Sequence, residues 1–128
     1  MRTMEDVKYE KEQYYVKYEG EETYQLMEQK PTESPLGRYA MMKRHYLLNV
    51  EDPKARQLLQ ELLEAGDLNR YLQSVHEQCK TVIDRLDDEC RARGITSENL
   101  GYWECLQQKM QMLNTMEEMV LHDYVYNN

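Results

Sequence analysis

Apolar and polar residues alternate with the two-residue period of a β-strand near the start of the chain. Tyr14, Val16 and Tyr18 would share one face of such a strand, and the residues between them the other. The pattern predicts a tyrosine-rich β-hairpin or meander, with a turn between Glu10 and Gln13 and another near Gly20. The expected strands lie near residues 7–9, 14–19 and 23–27.

Two proline-containing caps predict the first two helices. Ser34-Pro35 and Asp52-Pro53 each place a capping side chain just before a proline at the first helical position. They predict a helix over about 35–48 and a second helix from Pro53 to Ala65, which ends at Gly66. Residues 29–34 are then a linker between the strands and the helices.

A near-heptad period predicts two longer helices in the second half of the chain. From Leu68 to Cys90 the apolar positions are spaced by four or three residues, and Gly94 ends the run. Thr96 or Ser97 would cap the last helix. Its apolar stripe comprises Trp103, Leu106, Met110, Leu113, Met116 or Glu117, Val120 and Tyr124. Because only a short turn joins the two helices, we expect an antiparallel hairpin in which each stripe is buried against the other.

The fold class predicted is mainly α, with a small β part (α+β). Residues 1–33 form the β-hairpin region and linker, and residues 34–128 form a helical domain of about four helices, together one compact unit. The heptads could also pair with those of a second chain as a homodimeric coiled coil, or two hairpins could form a bundle. The short connecting turn favours the intramolecular hairpin and leaves the homodimer open.

Charge divides the chain into acidic flanks around one basic stretch. The net charge is −8, and residues 35–50, which we call the basic segment, hold Lys and Arg with no Asp or Glu. A negative net charge disfavours sequence-independent binding of phosphate backbones. No apolar run reaches the roughly 20 residues of a membrane span, and the first residues lack a signal peptide's apolar region. We therefore expect a cytoplasmic protein without membrane contact.

The basic segment has two faces when it is projected onto a helix. One broad apolar arc contains Leu36, Tyr39, Ala40, Tyr46, Leu47 and Val50. Lys43 projects into the middle of this arc, where a buried ammonium is costly. Arg38, Arg44 and His45 lie outside it and could contact phosphates, a protein partner or the chain's own acidic helices.

Residues with chemical potential do not assemble into a catalytic pattern. His76 and Cys79 supply half of a zinc site, and no second pair has ligand spacing. Cys79, Cys90 and Cys105 are an odd number inside helical patterns, so we expect reduced, packed thiols. Glycine-rich phosphate loops and serine elbows are absent from the sequence. The sequence predicts a protein that is not an enzyme and that has no metal or cofactor.

Four segments carry recognisable motifs in a fixed order. Residues 34–47 read Ser-Pro-Leu-Gly-Arg-Tyr-Ala-Met-Met-Lys-Arg-His-Tyr-Leu, and residues 65–72 read Ala-Gly-Asp-Leu-Asn-Arg-Tyr-Leu. Residues 94–100 read Gly-Ile-Thr-Ser-Glu-Asn-Leu, and residues 117–121 read Glu-Glu-Met-Val-Leu. Together they resemble the transposon-encoded protein TnpV family over about residues 34–126, although Ala40 and Met41 replace a glycine and a basic residue. The resemblance implies a small accessory protein of a mobile element in a Clostridia-like bacterium, with no established catalytic activity.

The expected function is protein–protein binding by an acidic accessory protein. Its carboxylates could imitate nucleic-acid phosphates and block a host defence nuclease, such as a CRISPR effector or its guide complex. The acidic cluster Asp84, Asp87, Asp88 and Glu89 is the first candidate surface. The second is the basic helix, with Arg38, Tyr39, Lys43, Arg44, His45 and Tyr46. The competing hypothesis is an excisionase-like or regulatory DNA-binding protein, which is less favoured because of the charge.

Overall fold

The computed structural model describes residues 2–127, and it begins with an antiparallel sheet of three strands in the order β1-β2-β3. The strands are β1 (Met4–Glu10), β2 (Gln13–Tyr18) and β3 (Gln25–Leu26). Lys11 and Glu12 have φ angles of 52° and 63°, as the two central residues of a type I′ hairpin turn require. The predicted hairpin and its turn are confirmed.

The third strand is shorter than the predicted span of 23–27. The backbone leaves the sheet after Met27, whose N–H donates to the Tyr14 carbonyl over 2.8 Å. Gln29 then holds the chain against the helices, because its Nε2 donates to the Leu63 carbonyl and its Oε1 accepts from the Leu68 N–H. These contacts with the helices replace further pairing between strands.

The inner face of β2 is made of tyrosine and valine. Tyr14, Val16 and Tyr18 are all buried, as the two-residue period predicts. The Tyr14 hydroxyl donates to Asn69 Oδ1 over 2.7 Å, and the Tyr18 hydroxyl donates to Glu64 Oε2 over 3.2 Å. Tyrosine therefore contributes a ring to the core while its hydroxyl satisfies a polar group on a helix behind the sheet.

Within residues 2–127, six α-helices and one π-helical segment follow the sheet, which confirms a mainly α fold. They are α1 (Arg38–Asn49), α2 (Pro53–Ala65), α3 (Leu68–Ile83), α4 (Leu86–Ala92), α5 (Ser97–Leu100), α6 (Tyr102–Val120) and the π-helical segment Leu121–Val125. Asp52 caps α2 by accepting from the Ala55 N–H, and Gly66 ends it with a φ of 75°. The second helix was therefore predicted with its correct ends.

The start of α1 was predicted three residues too early, at position 35 instead of 38. Ser34 does not cap a helix: its Oγ accepts from Gln73 Nε2 over 3.3 Å and its carbonyl accepts from the Thr32 hydroxyl. The first turn of α1 is satisfied instead from another helix, because the Tyr39 N–H donates to His76 Nδ1 of α3 over 3.3 Å. A cap supplied from 37 positions away leaves no local sequence signal.

The helix predicted to run from Leu68 to Cys90 is interrupted at Asp84 and Arg85. Asp87, Asp88 and Glu89 occupy the first turn of α4, where negative charge is favourable next to the positive end of the helix dipole. The same carboxylates would gain nothing from the dipole in the interior of a long helix. Acidic residues therefore begin a new helix here.

The last predicted helix is likewise divided, because Gly101 has a φ of 79° between α5 and α6. Thr96 caps α5 by accepting from the Asn99 N–H over 3.2 Å. Lys109 of α6 pairs with Asp87 of α4, whereas Val120 packs in one cluster with Val75 of α3. The chain of α6 therefore runs antiparallel to α3 and α4, as predicted.

The buried residues form two apolar clusters with α1 between them. The first joins the sheet, α2 and the start of α3 to Ala40 and Leu47 of α1. The second comprises Tyr39, Val75, Cys79, Val120 and Val125. The first cluster draws on both sides of residue 34, and the predicted division of the chain at that point remains a prediction.

The apolar stripe of α6 is only half buried, which corrects the sequence prediction. Met116 and Val120 lie in the core, but Trp103 is 77% exposed, and Leu106 and Met110 are exposed as well. Helix α4 covers a different side of α6, where Lys109 lies. Periodicity identified an apolar face without indicating that its first half has no covering element within residues 2–127.

We expect Gly37→Ala to lower the free energy of unfolding by about 2 kcal/mol, because overpacking a rigid contact usually costs about 1–3 kcal/mol. A methyl group at this position would overlap the His76 ring, while the φ of −80° at Gly37 is itself compatible with alanine. Urea unfolding monitored by circular dichroism measures the change.

His76→Ala provides the matched background for this test. With the ring removed, Gly37→Ala should cost less than about 0.5 kcal/mol, since the two substitutions concern one contact. An equal cost in both backgrounds would contradict the steric explanation.

Candidate partner-binding surface

The cations of the basic segment are held by groups from distant parts of the chain. Arg38 Nη1 lies 3.2 Å from Glu117 Oε1 of α6, and its guanidinium lies 5.5 Å from the Tyr39 ring centroid. The Tyr39 hydroxyl donates to the same Glu117 oxygen over 3.4 Å. Burial, together with the nearby Glu117 carboxylate, raises the pKa of Tyr39 and keeps its hydroxyl a proton donor. These two residues thus connect α1 to α6.

Lys43 is buried, with 1% of its surface exposed, in the middle of the apolar arc where the projection placed it. Its Nζ donates to the carbonyl oxygen of Asn127 and lies 5.3 Å from the Tyr46 ring centroid. Within residues 2–127 no carboxylate lies within 4.0 Å of the ammonium. Burial therefore lowers the pKa of Lys43. Lys43 fixes the end of the described chain against α1 and is inaccessible to a partner.

Arg44 and Tyr46 also belong to the protein's own packing. The Arg44 guanidinium lies 4.0 Å from the Tyr9 ring centroid, and it interacts with the Tyr14 hydroxyl as well. The Tyr46 and Tyr126 rings meet edge to face at 5.7 Å between centroids. Arg44 therefore joins α1 to the sheet, and Tyr46 joins it to the last residues of the described chain.

His45 is an exposed member of the predicted basic surface. Its ring nitrogen Nδ1 lies 3.3 Å from Asn49 Nδ2 one turn later in α1, and the Asn49 amide also donates to the His45 carbonyl over 2.7 Å. Of the six residues proposed for the basic surface, His45 and Arg38 present atoms to solvent, whereas Lys43 and Tyr39 are buried. The six do not form one continuous cationic face.

The acidic cluster is exposed, but basic residues surround it. Asp87 Oδ1 lies 2.6 Å from Lys109 Nζ, a bond that lowers the pKa of Asp87 and raises the pKa of Lys109. Asp88 and Glu89 each lie 4.0 Å from an arginine of the same segment. Only Asp84 has no ion pair among the residues that the structure describes. The cluster has four carboxylates, while residues 84–93 also include Arg85, Arg91 and Arg93.

His76 and Cys79, which have the spacing of half a zinc site, have other roles in the fold. His76 Nδ1 accepts the Tyr39 N–H, and the buried Cys79 thiol packs near Lys43 with a pKa that burial raises. In the described part of the chain, no three His, Cys, Asp or Glu side chains are grouped to hold a metal ion. Cys79 and Cys90 are buried free thiols, and Cys105 is half-buried rather than in the core.

None of the helices within residues 2–127 has the length and apolar character needed to cross a membrane.

Sequence reasoning missed one surface, which lies at the start of α6. Tyr102, Trp103, Leu106 and Met110 are all exposed there, and we call these four residues the α6 seam. The Tyr102 and Trp103 rings meet edge to face with their centroids 5.0 Å apart. The heptad spacing marked the last three of these residues as apolar, but it assigned them to the core.

The family comparison agrees with the motifs in the sequence. The family model for the transposon-encoded protein TnpV matches residues 7–125. The match extends from the first strand to the π-helical segment and includes the hairpin, which the motifs of residues 34–126 do not cover. Curated proteins and solved structures contain no significant match to the chain.

We expect Lys43→Met to raise the free energy of unfolding by about 1 kcal/mol at pH 7, because burying an ammonium without a carboxylate partner is costly and methionine fills a similar space without the charge. The folded-state pKa of Lys43 lies below its ordinary 10.5, so the unfolded chain binds more protons between these two values. Stability of the native sequence should therefore rise over that interval, and the advantage of the Lys43→Met variant should shrink.

Urea unfolding of the native sequence and of Lys43→Met at pH 7 and at about pH 9.5 measures how their difference in free energy of unfolding changes with pH. Lys54→Met, at an exposed position of α2, is the control and should change stability by less than about 0.5 kcal/mol. A stability advantage of Lys43→Met that grows with pH would contradict a lowered pKa of Lys43 in the folded protein.

Proposed function

Because the chain belongs to the family of the transposon-encoded protein TnpV, we propose that it is a non-enzymatic accessory protein of a mobile genetic element that acts by binding another protein. The proposal rests on the observation that the cations of the basic segment contact other parts of the same chain. Arg38, Lys43 and Arg44 are directed to Glu117, Asn127 and Tyr9 respectively. These cations therefore contact groups of the same chain, and the buried Lys43 is inaccessible to a nucleic acid.

The remaining charge favours a basic partner. Residues 1–34 have 5 Lys and Arg against 9 Asp and Glu, and residues 51–128 have 8 against 15. An excess of carboxylates on both sides of the basic segment attracts a positive protein surface over distances of about a Debye length. Electrostatic complementarity of this kind mainly increases the association rate and excludes partners of the wrong charge.

A narrower form of the proposal is inhibition of a host defence nuclease. Such enzymes hold nucleic acid in a basic groove, so an acidic protein could occupy the groove in place of phosphates. Asp84 and Asp88 are the members of the acidic cluster best placed for this contact, because Asp84 lacks an ion pair within the described residues and Asp88 is 4.0 Å from Arg91 at its nearest. Asp87 is held more tightly by Lys109.

A DNA-binding accessory role remains the competing hypothesis, and mobility-shift assays test it. We expect neither duplex nor single-stranded DNA from the element's ends to be retarded at about 50 mM salt, where phosphate contacts are strongest. Retardation that is lost on Arg38→Gln and on His45→Gln, the two exposed members of the basic surface, would favour the DNA-binding role instead.

For the nuclease form, we expect binding to a purified CRISPR effector in at least one of two states, before or after guide RNA is loaded. Asp84→Lys with Asp88→Lys should weaken this binding by about tenfold or more, as expected for charge reversal within a contact. Biolayer interferometry with both states of the effector gives the affinities. Absence of binding and of inhibition in both states would reject this form for that nuclease.

A matched control separates a local contact from the net charge. Glu12→Lys with Glu22→Lys changes the net charge by the same amount at exposed positions beside the sheet. This pair should weaken binding less than about threefold, mainly through the association rate. Equal losses for the two pairs would contradict a contact at Asp84 and Asp88.

A further inference from the structure

The α6 seam continues the apolar stripe that packs inside the protein. Spacings of three and four residues lead from Trp103 through Leu106 and Met110 to Leu113 and the buried Met116. A stripe with this period fits the side of another α-helix. The end of the stripe at Met116 packs in the core, whereas the α6 seam has no covering helix within residues 2–127.

The apolar area of the α6 seam is too small to hold a partner by itself. Two exposed aromatic rings, with Leu106 and Met110, present on the order of 400 Å² of apolar surface. A specific interface covers about 800 Å² on each partner. A helix that docks on the seam must therefore also contact the polar side chains that border it, and their charge decides which helices fit.

One border of the α6 seam has two amides and, behind them, two carboxylates. Gln107 and Asn114 come first, and Glu104, Gln111 and Glu118 follow at every seventh position on the same side of α6. Both glutamates are exposed. Neither has an ion pair among residues 2–127, so both are available to a cation from outside the chain.

The opposite border of the α6 seam is formed by Lys109 and the start of α4. The Lys109 ammonium is already bound by Asp87 of α4 at 2.6 Å. Asp88, the next residue, has 81% of its side chain exposed and lies 4.0 Å from Arg91 at its nearest. Arginines of α4 partly balance this border, so the side of α6 with the two unpaired glutamates is the more negative.

Charge over this part of the chain selects a cationic occupant. Residues 94–128 have five Asp and Glu but one Lys and no Arg, and the lysine is the Lys109 that Asp87 binds. A second copy of the chain would bring the same carboxylates to both borders, and an anionic membrane would be repelled in the same way. A helix with Lys and Arg beside an apolar stripe has the complementary charge. The long side chains of Lys and Arg also reach across the amides of Gln107 and Asn114.

We propose that the α6 seam binds a basic amphipathic α-helix of a partner protein, with the apolar stripe of that helix on the seam and its cations directed to Glu104 and Glu118. The inference rests on the proposed function, because it names the kind of element through which a basic partner is bound. Apolar residues one turn apart anchor such a helix on an apolar surface. The edge-to-face pair of Tyr102 and Trp103 is already formed and supplies an aromatic anchor.

A synthetic helix tests the proposal with the whole chain. The probe is a peptide of about 18 residues with Leu at spacings of three and four, Lys and Arg on both sides of that stripe, and no Trp or Tyr. Trp103 is the single tryptophan of the chain, so its emission should move to shorter wavelength and its acrylamide quenching should fall as the peptide binds. We expect a dissociation constant on the order of 10 μM at about 50 mM salt, and binding at least about threefold weaker at about 500 mM salt.

Two control peptides separate a docked helix from a general attraction of charges. One has the same composition with its Leu residues moved so that no apolar stripe remains, and the other keeps the stripe but has Glu in place of Lys and Arg. Both should bind at least about tenfold more weakly than the probe. Equal binding of either control, or no change at Trp103 with the probe, would overturn the proposal. A shift of the Trp103 emission with protein concentration alone would also overturn it, because a second copy would then occupy the seam.

Variants on two sides of α6 locate the apolar part of the contact. Leu106→Gln with Met110→Gln leaves the charge unchanged and should raise the dissociation constant of the probe by about tenfold or more, because both residues are in the centre of the seam. Met119→Gln is the control: Met119 is also exposed, but it projects from the opposite side of α6, and it should change the constant less than about twofold. Equal effects of the two changes would overturn the proposal.

Charge variants test the contacts of the cations. Glu104→Gln with Glu118→Gln should weaken binding of the probe by about threefold or more at about 50 mM salt and reduce its salt dependence. Glu12→Gln with Glu22→Gln removes the same charge at exposed positions beside the sheet and should weaken binding less than about 1.5-fold. Equal losses for the two pairs would overturn the assignment of the cations to α6.

Circular dichroism establishes that each variant keeps its helical content, which is expected because all of the substituted positions are exposed. Failure of the probe to bind while a CRISPR effector still binds the chain would overturn this inference alone. Binding of the probe at the α6 seam without an effector complex would support the inference and reject only the nuclease form of the proposed function.

Discussion

The whole structure depends on how helix α1 is accommodated between two apolar clusters. Its inner side carries Lys43, and burying this ammonium is costly without a polar partner from elsewhere in the chain. Glu117 meets Arg38, the Asn127 carbonyl meets Lys43, and the Tyr9 ring meets Arg44. The sheet, α6 and the last described residues therefore each contact this helix through one of its cations.

The sequence predicted those features that are encoded locally. The two-residue period identified the buried face of β2, the Asp52-Pro53 cap identified α2, and a helical projection placed Lys43 in the apolar arc. Features that depend on distant residues were not predicted. The start of α1 relies on His76, and the exposure of Trp103 depends on where α4 packs rather than on the period of α6.

The candidate surfaces also combine features that the local sequence shows with features that depend on distant residues. Sequence identified Arg38, Arg44 and the four carboxylates of the acidic cluster as charged and available, but it could not show their partners. Arg38 and Glu117 are 79 positions apart, and Lys109 is distant from Asp87 in sequence.

The motif that resembles the TnpV family also gains a physical meaning. Its glycine, Gly37, leaves room for the His76 ring, and that ring satisfies the backbone of the next turn.

The contact between Lys43 and Asn127 has a consequence for the order of folding. The two residues are 84 positions apart, and closing so long a loop is entropically costly and slow. During synthesis, the sheet and α1 emerge well before the π-helical segment that precedes Asn127. Until those residues arrive, the ammonium of Lys43 remains hydrated and the second apolar cluster lacks Val120 and Val125. Lys43, although it lies in the first half of the chain, is thus among the last residues to reach its native environment.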